Sequence, residues 1–454
     1  GQRDLNVFDN FGLLSSYTDF NGDTINYSYD GFGRLQGKSF SNPEVPKVSY
    51  AFDPVTSQIV KVTDGRGDTV LEYDLRDRLS KITNPDGKSI AYGYDVLDNM
   101  VSLTTEAGTT EYVYDALSRL EKVKDGSEVL ADYDYDAVGN LVRTSRADGT
   151  VEVRGYDLRH RLTDIETKNS VGTVISGFSY TLDGVGNRTR VEEFDGRTVD
   201  YVYDAVNRLT QEKIGDRTID YAYDLAGNRL SRNDSASGLT TYSYDANDRL
   251  TQMFAGGVTT SFAYDDNGSM LSRSNGVESV TYDWINDGEN RLVGVNIDGP
   301  GGSSDIEYVY NAEGIRVAEI VDGARTNYLV TPGMLSDVLL EYSSDGTVTK
   351  DFVYGLGLVR STEGGSDSFF HADGLGSVRM VTDTTGLVSE EFVYDAYGVS
   401  LSGDVEGFGF AGEQRDGETG LDYLRARYYD PELGRFISKD QFAGFFNDPM
   451  SLHD

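Results

Sequence analysis

A short phrase recurs about every 20 residues along this chain, and this period constrains the fold more than any other feature of the sequence. The phrase consists of Tyr-Asp, a few variable residues that include a turn former, and then Arg-Leu or Asn-Arg. Weaker copies fill the gaps, so the period covers about residues 1–316. The chain is therefore a repeat array, in which each unit is stabilised by stacking on its neighbours. The clearest aspartates of the phrase are Asp74, Asp95, Asp115, Asp136, Asp157, Asp204, Asp224, Asp245 and Asp265.

Each repeat has the residue pattern of a β-hairpin. Two runs of about seven residues, RLTQEKI and RTIDYAY, are joined by Gly215-Asp216. In the second run Ile219, Tyr221 and Tyr223 alternate with other residues, which places them on one face of a strand. Other connections carry sequences such as PDG, ADG and SDG, which favour tight hairpin turns. The predicted fold class is therefore all-β, built from tandem antiparallel hairpins of 20 to 21 residues.

The phrase itself predicts a particular turn. Aspartate suits the first position of a type I turn, and the residue three positions later takes a positive φ when a bulge follows. Most of the residue types at that later position tolerate the left-handed region. We therefore interpret Tyr-Asp first as a folding device. The residues at the later position are Gly33, Asp77, Asp98, Ser118, Gly139, His160, Asn207, Gly227, Asp248 and Gly268.

An array of this length cannot remain a flat sheet. The 454 residues correspond to about 22 hairpins, or about 44 strands, and to a strip on the order of 200 Å long. Strongly twisted sheets of more than about ten strands coil, split or close. Polar residues occur on both faces, and no helical segment is evident to cover either one. The strip is therefore predicted to coil into a hollow shell that encloses water, a ligand or another polypeptide.

The charge and the composition exclude several classes of partner. The chain has 40 Lys and Arg against 76 Asp and Glu, and its net charge of −36 repels nucleic-acid phosphates and anionic lipids. This acidity fits a secreted or surface protein, a saline habitat or divalent-cation binding, and it does not choose among them. The absence of cysteine excludes disulfides, zinc ribbons and thiol catalysis. No run approaches the roughly 18 apolar residues of a membrane span.

Other short motifs give little support to conventional enzyme chemistry. The sequence DFNGD at 19–23 resembles the start of an EF-hand calcium loop, but the later ligands of that loop are missing. His160, His371 and His453 have no spacing that suggests shared metal ligation. We therefore predict no cofactor and no metal site.

Two longer segments carry a family resemblance. They are FFHADGLGSVRMVTDTTGLVSEEFVYDAYG at 369–398 and FAGEQRDGETGLDYLRARYYDPELGRFISKD at 410–440. With the repeated phrase, they resemble the YD (Rhs) repeat proteins, namely bacterial Rhs proteins, the C components of Tc insecticidal toxins, wall-associated proteins and animal teneurins. The resemblance implies a hollow shell of spiralling hairpins whose core closes one end. In that family the shell holds a variable carboxy-terminal polypeptide, usually a toxin.

The period and the resemblance together predict four segments. A hairpin array occupies 1–292, irregular repeats with a hinge occupy 293–368, and the Rhs repeat-associated core occupies 369–440. Residues 441–454 are predicted to begin the segment that leads to a cleavage region. Gly, Pro and Ser are concentrated at 293–305, which predicts either a long hairpin tip or a hinge. We interpret the chain as a fragment of a longer protein.

The resemblance also implies an aspartic-protease-like self-cleavage that separates the shell from its contents. One acidic residue of that activity lies in an Asp-Pro-x-x-Gly element after a GRF phrase, and Asp440 matches it, with Gln441 in place of Pro. A second Asp-Pro element is expected further downstream, and we interpret Asp448-Pro449 as part of the connection to it. Such cleavage needs two adjacent carboxylates. Asp440 is therefore a candidate catalytic residue, and this chain alone is expected to be inactive.

The function predicted from the sequence is that of an encapsulating β-shell of a secreted polymorphic toxin. The shell would sequester a carboxy-terminal effector, and self-cleavage would release that effector in the full-length protein. The alternative is a structural or adhesive cell-surface protein that binds glycans or cells. The predicted location is secreted or on the surface of a bacterial cell, with no nucleic-acid partner.

Overall fold

Almost all of this chain forms one continuous antiparallel sheet. The computed structural model describes residues 4–333, 335–403 and 407–440. Within them, 37 consecutive strands form one sheet, and each strand from β1 to β36 pairs with the next along the chain. The sheet confirms the predicted all-β fold of tandem antiparallel hairpins.

The first half of the sheet has strands β1 (Leu5–Phe8), β2 (Leu14–Thr18), β3 (Thr24–Tyr29), β4 (Leu35–Phe40), β5 (Val48–Phe52), β6 (Ile59–Asp64), β7 (Gly67–Tyr73), β8 (Leu79–Thr83), β9 (Ser89–Tyr94), β10 (Met100–Thr105), β11 (Gly108–Tyr114), β12 (Leu120–Asp125), β13 (Glu128–Tyr135), β14 (Leu141–Arg146), β15 (Val151–Tyr156), β16 (Leu162–Lys168), β17 (Val174–Leu182) and β18 (Arg188–Glu193). The second half has β19 (Thr198–Tyr203), β20 (Leu209–Ile214), β21 (Arg217–Tyr223), β22 (Arg229–Asp234), β23 (Gly238–Tyr244), β24 (Leu250–Ala255), β25 (Val258–Tyr264), β26 (Met270–Ser274), β27 (Ser279–Trp284), β28 (Leu292–Gly299), β29 (Gly302–Tyr310), β30 (Arg316–Val321), β31 (Ala324–Val330), β32 (Val338–Ser343), β33 (Val348–Tyr354), β34 (Leu358–Glu363), β35 (Ser366–Ala372), β36 (Val378–Thr382) and β37 (Val388–Glu391).

Two small sheets follow the main sheet. The first pairs β38 (Val393–Tyr394) with β39 (Ser400–Ser402), and a 3-10 helix lies at Phe410–Gly412. The second sheet, called here the carboxy-terminal sheet, has strands β40 (Gly407–Phe408), β41 (Gln414–Arg415), β42 (Asp422–Leu424), β43 (Arg427–Asp430) and β44 (Arg435–Phe436). In the described ranges, no helix has the length and apolarity needed to cross a membrane.

The main sheet continues across the segment boundaries predicted from the sequence. Strands β28 and β29 form a hairpin that pairs as far as Gly299 and Gly302, so the Gly- and Pro-rich stretch at 293–305 is a long hairpin and not a break in the sheet. The sheet then extends past residue 368 to Glu391. The boundaries at 292, 368 and 440 stay predictions, and the segment 441–454 lies outside the described residues.

The connections between strands are of two alternating kinds. An Asp-led turn, which starts at the Asp of the repeated phrase, joins each odd-numbered strand to the next even-numbered strand from β1 to β26 and again between β35 and β36. The four connections at the same end of the hairpins between β27 and β34 start instead at Ile285, Asn311, Thr331 and Gly355. The other connection, at the opposite end of the hairpins, is called here a tip. At the ten later turn positions predicted from the sequence, φ is positive and ranges from 57° at Ser118 to 100° at Gly227. A register shift precedes the Tyr of the phrase, for example between Val113 and Tyr114. The predicted turn with its bulge is thus confirmed.

The side chains of the phrase bind each Asp-led turn to the next one. Asp115 accepts hydrogen bonds from the backbone N–H groups of Leu117 and Arg119 at 2.8 and 3.0 Å, and from the Arg119 side chain at 2.7 Å. The Arg119 guanidinium lies 4.5 Å from the ring centre of Tyr135 in the following repeat. The Tyr135 hydroxyl in turn donates to the backbone oxygen of Leu120 at 2.8 Å. One phrase thus fixes its own turn and its contact with the next hairpin.

This hydroxyl-to-carbonyl bond recurs along the sheet and forms what we call the tyrosine ladder. It spans 14 or 15 residues in most repeats, and Trp284 takes the tyrosine position once, with its indole N–H donating to the Met270 oxygen at 2.7 Å. A buried phenol that finds such an acceptor satisfies its polar tip while its ring packs. The ladder tyrosines are Tyr29, Tyr73, Tyr94, Tyr114, Tyr135, Tyr156, Tyr203, Tyr223, Tyr244 and Tyr310.

Two tyrosines of strand β9 offer a matched test of the ladder. The Tyr94 hydroxyl donates to the Leu79 oxygen at 2.8 Å, whereas the buried Tyr92 hydroxyl has no hydrogen-bond partner among the described residues. We expect Tyr94→Phe to lower the free energy of unfolding by about 1 kcal/mol, because a net hydrogen bond is lost. Tyr92→Phe should leave it unchanged or raise it, since an unsatisfied polar atom is removed. Urea unfolding measures both, and equal destabilisation would contradict a role for the ladder.

The strip coils, and its successive windings touch. The tip between β2 and β3 contacts the Asp-led turn between β25 and β26, through hydrogen bonds that join residues 244 to 248 apart. Further along, the hydroxyls of Tyr223 and Tyr397 are 2.6 Å apart across 174 residues. Near the amino terminus, one winding of the coil therefore consists of 23 strands, β3 to β25. Nearer the carboxyl end, one winding consists of 17 strands, β22 to β38. The coil narrows toward the carboxyl end.

The face of the strip that carries the tyrosines is the inner face. In β11 the side chain of Tyr112 is buried, whereas those of Glu111 and Val113 on the opposite face are exposed. Later strands pack on this tyrosine face, since the cluster that contains Leu103, Val123 and Tyr133 also contains Leu329 and Leu340. A winding that packs on one face of an earlier winding lies inside it. The space between these two windings is therefore filled with apolar side chains, which the composition did not indicate.

Candidate functional site at the carboxy-terminal core

The carboxy-terminal sheet packs on the inner face of strands β23 to β30. Two adjoining strands of this sheet contribute Tyr423 and Tyr428, which are buried in a cluster with side chains from seven strands of the main sheet. Leu433 and Ile437, which lie before and after β44, are also buried there. The shared cluster includes Tyr242, Leu250, Phe262, Met270, Val280, Tyr282, Leu292, Val295, Ile306 and Tyr308. The core that carries Asp440 is thereby fixed inside the coil.

A buried arginine, Arg316, joins this sheet to the main sheet. It is 2% exposed, and its guanidinium lies 4.5 Å from the ring centre of Tyr423. One guanidinium nitrogen is 3.7 Å from Asp416, and another donates to the Gln414 side chain at 2.9 Å. Burial raises the pKa of the nearby Tyr308 hydroxyl well above its usual value, and this hydroxyl donates a short hydrogen bond to Asp416. The tyrosines around the guanidinium are Tyr308, Tyr328, Tyr423 and Tyr428.

A second buried arginine, Arg229, holds the segment that leads to Asp440. Its guanidinium donates to the backbone oxygens of Leu433 and Glu432 at 2.6 and 3.3 Å. It also lies 4.7 and 4.9 Å from the ring centres of Tyr242 and Tyr397. Cations stacked on aromatic faces in a desolvated site are each stabilised by about 2 kcal/mol or more. Arg229 therefore fixes the path of the chain just before the last described residues.

The path continues along the Asp-led turns of β24 to β26. The Ile437 oxygen accepts from the backbone N–H of Met270 at 2.8 Å, and Ile437 itself is buried. The Arg435 guanidinium donates to the Asp248 oxygen at 3.2 Å. The ammonium group of Lys439 then lies 5.8 Å from the ring centre of Phe20, which belongs to the first tip of the array. The segment 435–440 thus lies where the first and second windings meet.

Asp440, the candidate catalytic residue, lies at the end of this path. Its Oδ2 is 2.7 Å from a guanidinium nitrogen of Arg427, and its side chain is 37% exposed. The same guanidinium lies 3.6 Å from the ring centre of Phe436, so Arg427 is itself held in place. This geometry orients one carboxylate and leaves it accessible to a second group. The rest of the predicted element, Gln441 to Gly444, and Asp448-Pro449 lie outside the described residues.

The histidines singled out from the sequence do not share one structural role. His160 is the positive-φ residue of an Asp-led turn, with φ at 61°. His371 is buried, its Nε2 is 2.9 Å from the Thr382 hydroxyl, and burial lowers the pKa of its imidazole well below the usual value. His453 lies outside the described residues. Over the ranges that the structure covers, no group of three or more His, Asp or Glu side chains is placed to hold a metal ion.

Sequence analysis missed the two buried arginines, although a signal for them exists. Five residues after the first residue of the turn, most repeats place a leucine, such as Leu79, Leu120 or Leu250. Arg188, Arg229 and Arg316 occupy that same position. Arg229 and Arg316 are buried and contact the carboxy-terminal core, whereas Arg188 is half-buried and stacks on Tyr180 of the preceding strand. The exchange of leucine for arginine is therefore a sequence signal for a contact between windings at two of these three positions.

Comparison with known proteins places these features in context. The family model described as Teneurin YD-shell matches residues 185–452, and the RHS Repeat model matches residues 73–110. The tRNA3(Ser)-specific nuclease WapA of Bacillus spizizenii is 31% identical over 290 residues, which are 62% of this chain and 10% of that protein. The Double-stranded DNA deaminase toxin A of Burkholderia cenocepacia is 38% identical over 79 residues, which are 16% of this chain and 6% of that protein. This chain thus spans a tenth or less of the length of these curated relatives.

Solved structures share the fold. The crystal structure of TcdB2-TccC3-Cdc42 matches 100% of this chain and 27% of its own chain, with a TM-score of 0.82 and 19% identity. The Photorhabdus luminescens Tc holotoxin pore matches 100% of this chain and 26% of its own, with a TM-score of 0.76 and 17% identity. At these identities, the likeness shows the fold of the chain.

Proposed function

Because this chain belongs to the Teneurin YD-shell family, we propose that it is the encapsulating β-shell of a secreted polymorphic toxin. The shell would sequester an effector that follows Asp440 in the full-length protein. The observation that carries this proposal is the position of the carboxy-terminal core, since Ile437 is buried in a cluster on the inner face of the coil. A polypeptide that continues from Asp440 would therefore start inside the coil.

The dimensions of the coil support this proposal. A winding of 23 strands, spaced by about 4.8 Å, has a circumference of about 110 Å and a diameter of about 35 Å. After about 5 Å of inward side chains on each side, about 25 Å of width remains wherever no later strand packs on the inner face of this winding. An extended or partly folded polypeptide fits this width. The curated relatives include proteins named as toxins, which agrees with a toxic effector as the contents.

We further propose that Asp440 is one carboxylate of a self-cleaving pair. In such a pair the ionised carboxylate accepts a proton from water, and the resulting hydroxide adds to the scissile carbonyl carbon. The protonated partner stabilises the carbonyl oxygen, and the amide nitrogen leaves as an amine once it has received a proton. Arg427, 2.7 Å from Asp440, would position the first carboxylate. The second carboxylate would come from the Asp-Pro element expected downstream.

Processing of the full-length polypeptide tests the role of Asp440. We expect the unchanged protein to split downstream of Asp440, and Asp440→Asn to slow this cleavage by at least about 100-fold, because the charge that activates water is lost. Asp383→Asn, at an exposed turn of the same core, is the matched control and should be processed normally. Intact-mass measurement of the purified products follows the cleavage. Normal processing of Asp440→Asn would sink the catalytic assignment.

Protease protection tests encapsulation separately from cleavage. We expect the released effector to co-purify with the shell and to resist trypsin until the shell is unfolded. An effector that separates freely or is digested at once would contradict sequestration. The adhesive alternative stays a prediction, and binding of this chain to glycan arrays or cells, with no effector encoded downstream, would favour it. A secreted or cell-surface location follows from either function.

A further inference from the structure

The contact between the first and second windings is made by two turns with the same residue pattern. The tip between β2 and β3 reads DFNG at 19–22, and the Asp-led turn between β25 and β26 reads DDNG at 265–268. The closing glycine has a φ of 94° in the first turn and of 88° in the second. Two copies of an Asp-x-Asn-Gly turn therefore meet here, and this pair of turns is called here the asparagine clamp.

The hydrogen bonds across the asparagine clamp are reciprocal. The Asn21 amide donates to the Asp265 carboxylate at 2.9 Å and accepts from the next backbone N–H of that turn at 3.0 Å. The Asn267 amide donates to the Asp19 carboxylate at 2.7 Å and accepts from the next backbone N–H at 2.9 Å. Each asparagine thus uses both its NH2 group and its carbonyl oxygen. A carboxylate at either position could accept a hydrogen bond but could not donate one.

The same two asparagines lie in the sequence context that most favours the loss of a side-chain amide. Asn-Gly occurs three times in this chain, at 21–22, 267–268 and 275–276, and the first two pairs lie in the clamp. Since glycine has no side chain, its backbone nitrogen can approach the side-chain carbonyl carbon of the preceding asparagine. Asn275 is exposed, and its carbonyl oxygen accepts from backbone N–H groups of its own tip, so it serves as an internal reference.

Deamidation at such a pair needs no reactant other than water. The glycine nitrogen adds to the side-chain carbonyl carbon, the bond from that carbon to the amide nitrogen breaks, and ammonia leaves with the proton that the glycine nitrogen gives up. Water then opens the resulting five-membered succinimide at one of its two carbonyl carbons. The product is aspartate or isoaspartate, and in either case a neutral amide has become a carboxylate.

The closed clamp restrains the groups that must react. Both ends of each amide are bonded across it, and the backbone N–H of each glycine donates within its own turn. The acceptors of these glycine bonds are the Asp19 oxygen for Gly22 and the Asp265 oxygen for Gly268, both at 3.2 Å. The bonds across the clamp break when the two windings separate locally. The rate of deamidation therefore follows the fraction of molecules in which the clamp is open.

A carboxylate produced in the clamp would face carboxylates that are already there. Each asparagine amide lies against an aspartate of the other turn, and one of these, Asp19, is buried. Burial, followed by the charge of Asp19, raises the pKa of Asp23, so negative charge is already crowded at this contact. The cation that the structure shows beside the clamp is Lys439, 5.8 Å from the ring centre of Phe20. Because like charges at hydrogen-bond distance repel each other, a clamp that has lost an amide cannot restore its former contact.

We infer that Asn21 and Asn267 form a site of spontaneous deamidation, and that their conversion releases the first winding from the second. The release is irreversible, because the amide nitrogen is lost as ammonia and closing the clamp does not restore it. The inference rests on the two turns and their reciprocal hydrogen bonds. It does not depend on self-cleavage or on any contents of the shell.

Peptide mapping of the 454-residue chain by mass spectrometry, after incubation in mildly alkaline buffer, tests the inference. The mass increase and the isoaspartate content of each Asn-Gly peptide report conversion. We expect Asn275 to convert first, and Asn21 and Asn267 to convert at least about tenfold more slowly, because hydrogen bonds to charged groups must break before they react. Clamp peptides that never converted, or that converted as fast as Asn275, would overturn the inference.

Asn21→Asp tests the coupling between the two turns. The variant loses the donor to Asp265, so we expect Asn267 to convert at least about tenfold faster, the factor that corresponds to one lost hydrogen bond to a charged group. The backbone N–H of Phe20, which donates across the clamp, should also exchange with solvent faster. Asn275→Asp is the matched control and should change neither rate. Unchanged conversion of Asn267 in Asn21→Asp would count against the inference, and so would equal acceleration at Asn275, which would indicate general unfolding.

Discussion

Replacing Arg316 with alanine is expected to lower the free energy of unfolding by about 3–5 kcal/mol, the range seen when one partner of a buried ion pair is removed. The guanidinium is buried, surrounded by four tyrosine rings and 3.7 Å from Asp416. Its loss leaves that carboxylate without this cation and opens a cavity between the two sheets. Urea unfolding measures the loss. Hydrogen exchange should also show reduced protection of the carboxy-terminal sheet.

Two further substitutions separate the role of Arg316 from that of charge alone. Arg316→Lys keeps the positive charge but loses the planar group that stacks on the rings, so we expect an intermediate destabilisation. Arg325→Ala removes an exposed arginine at the next tip and should change stability by less than about 0.5 kcal/mol. If Arg316→Ala behaved like Arg325→Ala, the buried arginine would not be what holds the carboxy-terminal sheet.

The second large effect is expected from Glu212, a buried acid at a contact between windings. Its side chain is completely buried, and one carboxyl oxygen accepts from the backbone N–H of Ala396 at 3.0 Å. The other oxygen has no hydrogen-bond partner among the described residues. Burial, with a smaller contribution from the charge of Asp395, raises the pKa of Glu212 to about 8 against the opposing effects of the hydrogen bond from Ala396 and of the charges of Arg232 and Arg217. Glu212 is therefore protonated in the folded protein at neutral pH.

The sign of the pH dependence follows from this raised pKa. Between the ordinary pKa of 4.5 and about 8, the folded state binds a proton that the unfolded state has released. The contribution of Glu212 to the free energy of unfolding is therefore greatest below pH 4.5 and is lost as the pH rises from there through about 8. We expect Glu212→Gln to raise the free energy of unfolding at pH 9 by on the order of 3 kcal/mol, with little effect at pH 4.

Urea unfolding at a series of pH values checks this prediction. The exposed Glu111→Gln on strand β11 removes the same charge from a strongly acidic chain and serves as the control. The control should show a small change that varies little over this range. A Glu212→Gln variant whose stability ran parallel to that of the unchanged protein at every pH would contradict a raised pKa at this position.

The local structure of the repeats could be predicted from the sequence, because its determinants lie within one phrase. Ser118 and His160 are unusual residues for a positive φ, yet their distance from Asp115 and Asp157 places both in the left-handed region, as the structure confirms. The alternation of tyrosines likewise predicts which side chains share one face of each strand. These features depend on residues fewer than about 20 positions apart, which a single sequence displays directly.

The contacts between windings could not be predicted, because the repeats resemble one another too closely to indicate which of them meet. Nothing in the phrase at Asp395 indicates that Glu212 lies beside it or that Tyr223 meets Tyr397. The sequence DFNGD, set aside as a calcium loop, forms instead the tip that contacts the second winding. For the candidate site, the sequence identifies Asp440, whereas Arg427 becomes evident only from the distances in the fold, and the leucine-to-arginine exchange at Arg229 does not indicate which backbone oxygens it contacts. The catalytic role of Asp440 stays a prediction.

The tyrosine ladder has a consequence for how the protein is made. Each bond of the ladder joins a hairpin to the one just before it, so a repeat that leaves the ribosome can dock at once on a neighbour that is already folded. Stability in such arrays is a sum over adjacent units, and contacts between adjacent hairpins form quickly because little chain must be closed into a loop. Folding of the coiled sheet can thus keep pace with translation. The coiled sheet would be folded before the ribosome translated any codons that follow it.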